Sequence, residues 1–195
     1  MPTAPKSFIT PEQYLEIERK AEIKSEYYQG EMLAMSGGSR WHGRIAFQLT
    51  GLIAQHLADK PCEGYPSDMR VLTPSGLYTY PDLVVVCGEP QFVDTHLDTL
   101  TNPTLLVEIL PPTTENYDLG KKAEMYRTVP TLKELLFVAQ DRYHMQLQRR
   151  QPDGTWVLIE ADGLDSSIEL TSIGYTLSLR DAYAIVLRHR ASNQS

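Results

Sequence analysis

Two apolar segments constrain the fold of this chain more than any other feature of its sequence. Residues 78–86 and residues 104–110 are almost continuously apolar and rich in Val, Leu and Ile. Segments of this length and composition are typical of strands buried in the core of a sheet. Each segment also contains one acid, Asp82 in the first and Glu108 in the second. The chain is therefore expected to build a central sheet with two carboxylates set into its strands.

Periodic patterns predict helices around this sheet. Residues 39–59 have an apolar stripe at three- and four-residue intervals, with Ser39 as the N-cap, and residues 119–126 have a shorter stripe that ends before Pro130. A capping box at residues 10–13 begins a first short helix, and residues 179–188 predict a last one. Hairpins are predicted at residues 26–33 and 143–160, the second around a Pro-Asp-Gly turn, and single strands at residues 69–72 and 135–138. The predicted fold class is α/β, with a mixed central sheet flanked by helices.

Length and composition favour an ordinary globular chain. With 195 residues and 42% hydrophobic content, we expect one domain spanning 1–195 and structured over about 10–188. No segment has the 18 or so apolar residues needed to span a bilayer, and the N-terminus lacks a secretory apolar core, which predicts a cytoplasmic protein. In that setting Cys62 and Cys87 are expected to be reduced.

The net charge of −7 argues against a large basic surface that would hold a nucleic-acid duplex without sequence preference. Any nucleic-acid function must therefore depend on a local site. The basic pairs at Arg149-Arg150 and at residues 188–190 are interpreted as solvated.

Asp82 and Glu108 are unusual because an ionised carboxylate among buried neighbours costs several kcal/mol unless it is paired. A structural interpretation places each acid in a salt bridge or at a solvent-facing strand end. A functional interpretation gives them a shared cation. Mg²⁺ takes hard oxygen ligands and keeps several waters, so Asp82, Glu108 and the carbonyl of Ile109 would be a sufficient protein contribution.

Several segments together resemble a large bacterial family of restriction-endonuclease-like proteins of the PD-(D/E)XK superfamily. They are Pro81-Asp82, residues 65–70, residues 107–110 and residues 118–127, and the resemblance extends over about residues 10–183. It implies a mixed sheet flanked by helices and a site of two acids and a lysine. Pro81-Asp82 matches the first half of the motif and Glu108 the acid of the second half.

The chain departs from the superfamily pattern at two positions. The usual lysine two residues after Glu108 is Leu110 here, and the matching lysine is Lys122 on the next helix. Pro111 stands where relatives usually have serine. A long lysine side chain can reach a site from another element, although Lys122 could equally form an exposed ion pair with Asp118 four residues earlier.

The resemblance implies a Mg²⁺- or Mn²⁺-dependent endonuclease that cleaves DNA, with Asp82 and Glu108 as metal ligands, Lys122 assisting the attacking water, and a homodimeric assembly. RNA is an open alternative substrate. The alternative function is a non-catalytic, dimeric nucleic-acid-binding or interaction module of the same fold. His42 and Glu31 are secondary candidates, each with a solvent-exposed role as the simpler interpretation.

Overall fold

The computed structural model describes residues 8–35 and 37–187. Its helices are α1 (Pro11–Glu18), α2 (Arg40–Leu57), α3 (Glu115–Tyr117), α4 (Ala123–Arg127) and α5 (Leu179–Ala182), and a π-helical turn (Asp118–Lys122) joins α3 to α4. Its strands are β1 (Ser25–Tyr28), β2 (Glu31–Ala34), β3 (Cys62–Pro66), β4 (Arg70–Leu72), β5 (Tyr78–Thr79), β6 (Leu83–Cys87), β7 (Thr99–Leu100), β8 (Leu105–Leu110), β9 (Glu134–Ala139), β10 (His144–Arg150), β11 (Trp156–Asp162), β12 (Ser167–Leu170) and β13 (Tyr175–Ser178).

The central sheet has six strands in the order β11-β10-β9-β8-β6-β3. Only the β8–β9 pair is parallel among these described strands, so the sheet is mixed, and helices pack on both of its faces. The predicted fold class is therefore confirmed. The antiparallel register pairs Leu83 with Val107, which brings Asp82, one residue earlier, next to Glu108.

Each face of the sheet is covered by a different helical segment. Helix α2 buries the predicted stripe, including Ile45 and Leu49, against the face that presents Val85 and Val107. Helix α4 and the loop after it cover the other face, which presents Val84, Leu106 and Phe137. Full burial of each such side chain contributes about 1.5–3 kcal/mol. This packing fixes the strand ends from which the two acids project.

A second sheet has the strand order β2-β1-β5-β4-β7. The prediction of one strand over residues 78–86 is wrong, because β5 belongs to this sheet and β6 to the central one. The break falls at residues 80–82, around Pro81. Proline has no N–H to donate to a ladder, so a strand that passes through it is interrupted.

The expectation of reduced cysteines is also wrong, since Cys62 and Cys87 form a disulfide. The two residues lie directly opposite each other in the β3–β6 register, with their Cα atoms 4.0 Å apart. Cross-strand neighbours this close can be bridged without moving the backbone. The sequence did not predict β3 and therefore could not place the pair.

Arg149 and Arg150 are half-buried and hydrogen-bonded within the fold, contrary to the prediction that they are solvated. The guanidinium of Arg149 donates to Glu134, which is fully buried. The guanidinium of Arg150 donates to three main-chain carbonyl oxygens, those of Arg127, Val129 and Leu132. Both arginines thus satisfy buried acceptors of the fold. The other predicted basic cluster, residues 188–190, lies outside the described residues.

The last predicted helix is shorter than expected. Helix α5 ends at Ala182 because Tyr183 leaves helical geometry, with φ −96° and ψ 6°, and a further helical turn covers residues 184–187. The capping box at Thr10 and Gln13 is confirmed, as are the two predicted hairpins. No helix within residues 8–35 and 37–187 combines the length and apolar character needed to cross a membrane.

Candidate metal centre

Asp82 immediately precedes β6, and only one of its two carboxylate oxygens contacts other protein groups. Oδ2 accepts a hydrogen bond from the main-chain N–H of Ile109 at 2.8 Å and lies 3.1 Å from Nε2 of His42. The side chain is 14% exposed. The contact with Asp82 raises the pKa of His42, because the carboxylate stabilises the charged imidazolium. His42 therefore lies in the site, at the first turn of α2.

Glu108 lies in the middle of the buried strand β8. Its Oε1 accepts a hydrogen bond from the hydroxyl of Tyr126 and lies 3.0 Å from Nζ of Lys122. Burial raises the pKa of Glu108 to about 7; the charge of Lys122 opposes this shift, and the charge of Asp82 adds to it. A cation beside Glu108 would favour its ionised form.

Lys122 is buried, contrary to the interpretation that it forms an exposed ion pair. It is 5% exposed, and Nζ lies 3.0 Å from Glu108 Oε1, 3.0 Å from Glu26 Oε1 and 3.8 Å from Asp118 Oδ1. Burial alone would lower its pKa, but the surrounding negative charge, that of Glu108 foremost, raises the pKa well above its ordinary value. Lys122 is therefore held in its charged form.

The local backbone around Lys122 departs from the predicted regular helix. Residues 118–122 form a π-helical turn, and the N–H of Ala123 donates to the carbonyl of Asp118, five residues earlier. π turns inside helices are frequent at functional sites. The apolar stripe at residues 119–126 predicted the helical segment but could not show the wider turn.

Glu26 is a fourth acid of the site that the sequence reasoning missed. It lies in β1, is 8% exposed, and contacts both Lys122 and the hydroxyl of Thr79. An acid followed by two tyrosines in β1 was the available signal, weaker than the apolar runs around Asp82 and Glu108. Glu31, the acid that was considered, is exposed at the start of β2 and does not line the cleft described next.

These side chains line a cleft of about 470 Å³. One wall comes from β2 and the segment before α2, and another from the segment that leads from β8 into the π turn, including Pro111. The floor is formed by the ends of β6 and β8. The acids that line the cleft are Glu26, Asp82, Glu108 and Asp118.

The chemistry of Asp82 and Glu108 fits a divalent cation with oxygen ligands. In each carboxylate one oxygen accepts the hydrogen bonds given above, whereas Asp82 Oδ1 and Glu108 Oε2 have no hydrogen-bond partner among residues 8–35 and 37–187. Within these residues no group of three or more His, Cys, Asp or Glu side chains is arranged to hold a metal. A Mg²⁺ site here would depend on two carboxylates, the Ile109 carbonyl, and water or substrate oxygens.

Comparisons with known proteins agree with this architecture. The Uma2 family model, described as "Putative restriction endonuclease", matches residues 11–180. Two proteins of Synechocystis sp., named only as uncharacterized proteins sll1609 and slr1290, are 35% and 34% identical to this chain. The first match covers 88% of this chain and 97% of the relative, and the second covers 93% and 95%.

A solved structure from Anabaena variabilis also shares the fold. Its description is "putative nuclease belonging to DUF820", and it superposes with a TM-score of 0.75 at 17% identity. The match covers 91% of this chain and 99% of that one. This neighbour therefore supports the restriction-endonuclease-like fold.

Proposed function

Since this chain belongs to the Uma2 family of restriction-endonuclease-like proteins, we propose that it is a metal-dependent endonuclease that hydrolyses phosphodiester bonds of DNA. Asp82, Glu108 and the main-chain carbonyl of Ile109 hold Mg²⁺ or Mn²⁺ in this proposal. Lys122 assists the attacking water.

One observation supports the proposal above the others. Asp82, the residue before β6, lies opposite Glu108 of β8, and each carboxylate has one oxygen held by the protein and the other without a partner among the described residues. Two neighbouring carboxylates repel each other when both are ionised. Burial is the main cause of the raised pKa of Glu108, and the charge of Asp82 adds to it. A shared divalent cation would relieve that cost.

The proposed chemistry divides between the ion and the side chains. A bound Mg²⁺ supplies Lewis-acid stabilisation of charge on a phosphoryl group. Tyr126 and Ile109 fix the orientation of the two carboxylates through their hydrogen bonds, and His42 contacts the same oxygen of Asp82 as Ile109 does. The ammonium of Lys122, charged and pointed at Glu108, orients the water and stabilises negative charge that develops beside it.

The proposal includes a homodimer, a single domain and a cytoplasmic location. A homodimer would place two copies of the site in one assembly. One copy of an acidic chain of this size offers few basic contacts to a duplex.

The direct test is cleavage of single-stranded and duplex oligonucleotides in Mg²⁺ or Mn²⁺ by the parent and by Asp82→Asn, Glu108→Gln and Lys122→Met. We expect each variant to lose at least about 100-fold in rate, because removal of a group that stabilises developing charge commonly costs this much. Lys121→Met is the matched control, because Lys121 is the residue next to Lys122 and its side chain is exposed. Its rate should stay within about twofold of the parent.

Melting temperatures of all variants separate loss of chemistry from loss of fold. Equal cleavage by the parent and the three site variants would reject the assigned residues. DNA binding by the parent without cleavage in either metal would instead favour the non-catalytic module. In that protein Lys122 and its three carboxylates would be a structural ion-pair network.

A further inference from the structure

The cleft around the proposed metal centre is small compared with a nucleic-acid duplex. Its volume of about 470 Å³ falls within the roughly 300–1,000 Å³ typical of sites that enclose a small organic ligand. A single nucleotide is the part of a nucleic acid that fits such a cleft.

The charge of the cleft does not favour a duplex backbone either. Of the described residues that line it, four are carboxylates and only Lys122 is a lysine or arginine. The ammonium of Lys122 is already surrounded by Glu26, Glu108 and Asp118. Duplex binding depends on several cationic contacts to phosphates. Binding in this cleft must therefore come from the metal and from contacts that do not need positive charge.

Tyr117 offers one such contact. It ends α3, lines the cleft and is 38% exposed. Burial raises the pKa of Tyr117, and the charge of Glu26 adds to this shift, so the ring lies close to the acids of the site. Its hydroxyl has no hydrogen-bond partner within residues 8–35 and 37–187. Tyr117 therefore contributes a partly exposed aromatic side chain to the cleft that contains the proposed metal ligands.

Leu33 offers a second apolar contact from a different element. It is 65% exposed, lines the cleft, and lies directly opposite Glu26 in the β1–β2 register. Directly opposed residues of an antiparallel pair point to the same face. The side chain of Leu33 therefore points to the same face of the sheet as Glu26, which contacts Lys122. Leu33 thus adds an exposed apolar side chain to the lining of the cleft.

We propose that this site takes a nucleotide of an unpaired strand, with its base against Tyr117 and Leu33 and its phosphate at the metal centre. This substrate class deepens the proposed nuclease function and rests on it. A base within a duplex has its faces covered by its neighbours, whereas an unpaired base can leave the stack and lie on an aromatic side chain. Single strands, flaps and overhangs are therefore the expected substrates, and intact duplex is a poor one.

Binding and cleavage are measured separately to test this proposal. A fluorescein-labelled 12-nucleotide single strand and the matching 12-base-pair blunt duplex are titrated with the protein in Ca²⁺, a hard cation with the same oxygen ligands, and gels verify that the DNA stays intact. We expect the single strand to bind at least about tenfold more tightly than the duplex. The same two substrates are then compared for cleavage in Mg²⁺.

Variants of the two apolar residues show whether the base contact is responsible. Tyr117→Ala should weaken single-strand binding about tenfold, as expected for the loss of one base–aromatic stack, and Tyr117→Phe should retain it. Leu33→Ala should weaken binding in the same direction by a smaller factor. Phe47→Ala is the control, because Phe47 is 76% exposed on α2 and does not line the cleft.

The outcomes separate this proposal from the nuclease function itself. Equal binding or cleavage of duplex and single strand would overturn the proposed substrate class and leave the nuclease function standing. Unchanged single-strand binding by both Tyr117→Ala and Leu33→Ala would overturn it as well, as would the absence of any single-strand binding. Selective, Tyr117-dependent binding of the single strand without cleavage would support the nucleotide site and reject the endonuclease.

Discussion

The most unusual residues of this protein are charged side chains buried in its interior. Asp82 and Glu108 could be found from the sequence because an acid in an apolar strand needs a partner. Glu26 escaped notice because its short strand, Ser25–Tyr28, has no apolar run around the acid. The burial of Lys122 was equally hidden, since its four-residue spacing from Asp118 also suits an exposed helix surface.

Glu134 is the clearest case of a buried carboxylate with a structural role. It is fully buried and accepts hydrogen bonds from Arg149 and from the main-chain and side-chain donors of Thr171 and Ser172. Glu134→Ala should lower the free energy of unfolding by about 3–5 kcal/mol, because Arg149 and two N–H groups lose their acceptor. Urea unfolding measures this change.

Glu169→Ala is the control for this prediction. Glu169 is an exposed acid of β12 on the hairpin that Glu134 anchors. Its replacement should change stability by no more than about 0.5 kcal/mol. Equal effects of the two substitutions would show that the hydrogen bonds of Glu134 do not stabilise the hairpin.

At the scale of elements, the spacing of apolar residues predicted a helix or strand correctly wherever one pattern ran the whole length of that element. Helix α2 and the β10–β11 hairpin follow their patterns closely. The π turn was not predicted, because its one extra residue leaves the spacing of the apolar side chains nearly unchanged. The β5–β6 break at Pro81 could have been predicted from proline alone. The edge strand β3, with Gly64 and Pro66, has too little apolar alternation to be recognised.

The contact between α1 and the loop that leads into β7 gives a pH-dependent contribution to stability. Asp98 accepts hydrogen bonds from Arg19 at 2.7 and 3.0 Å, and mainly for this reason its pKa is lowered from 3.8 to about 2. A carboxyl whose pKa is lower in the folded state stabilises the fold above its unfolded pKa. This contribution is lost as the pH falls from about 4 towards 2.

Asp98→Asn tests whether the charge of Asp98 stabilises the fold at neutral pH and ceases to do so at low pH. At pH 6 the variant should be less stable than the parent by about 1 kcal/mol, a value reduced for solvent exposure of the pair. The difference should shrink between pH 5 and pH 3 in urea unfolding. A difference that stays constant over this range would mean that the ion pair does not contribute through the charge of Asp98.

At the scale of the whole molecule, the sequence predicted the fold class but not the strand order. Which strands become neighbours depends on contacts between distant segments, such as the parallel pairing of β8 with β9 across the π turn and α4. The candidate site depends on this strand order. Asp82 and Glu108 are neighbours only because β6 pairs with β8, and Lys122 reaches Glu108 because the π turn leads into α4, which covers that face of the sheet.

The measurement that tests the central claim most directly is Mn²⁺ binding in the absence of DNA. Titration calorimetry of the parent should give one Mn²⁺ per chain. Asp82→Asn and Glu108→Gln should each weaken binding by at least about tenfold, and Glu31→Gln, an exposed acid outside the cleft, should leave it unchanged. Equal Mn²⁺ affinity in all four proteins would contradict the account, because the ion would then be held by residues other than Asp82 and Glu108.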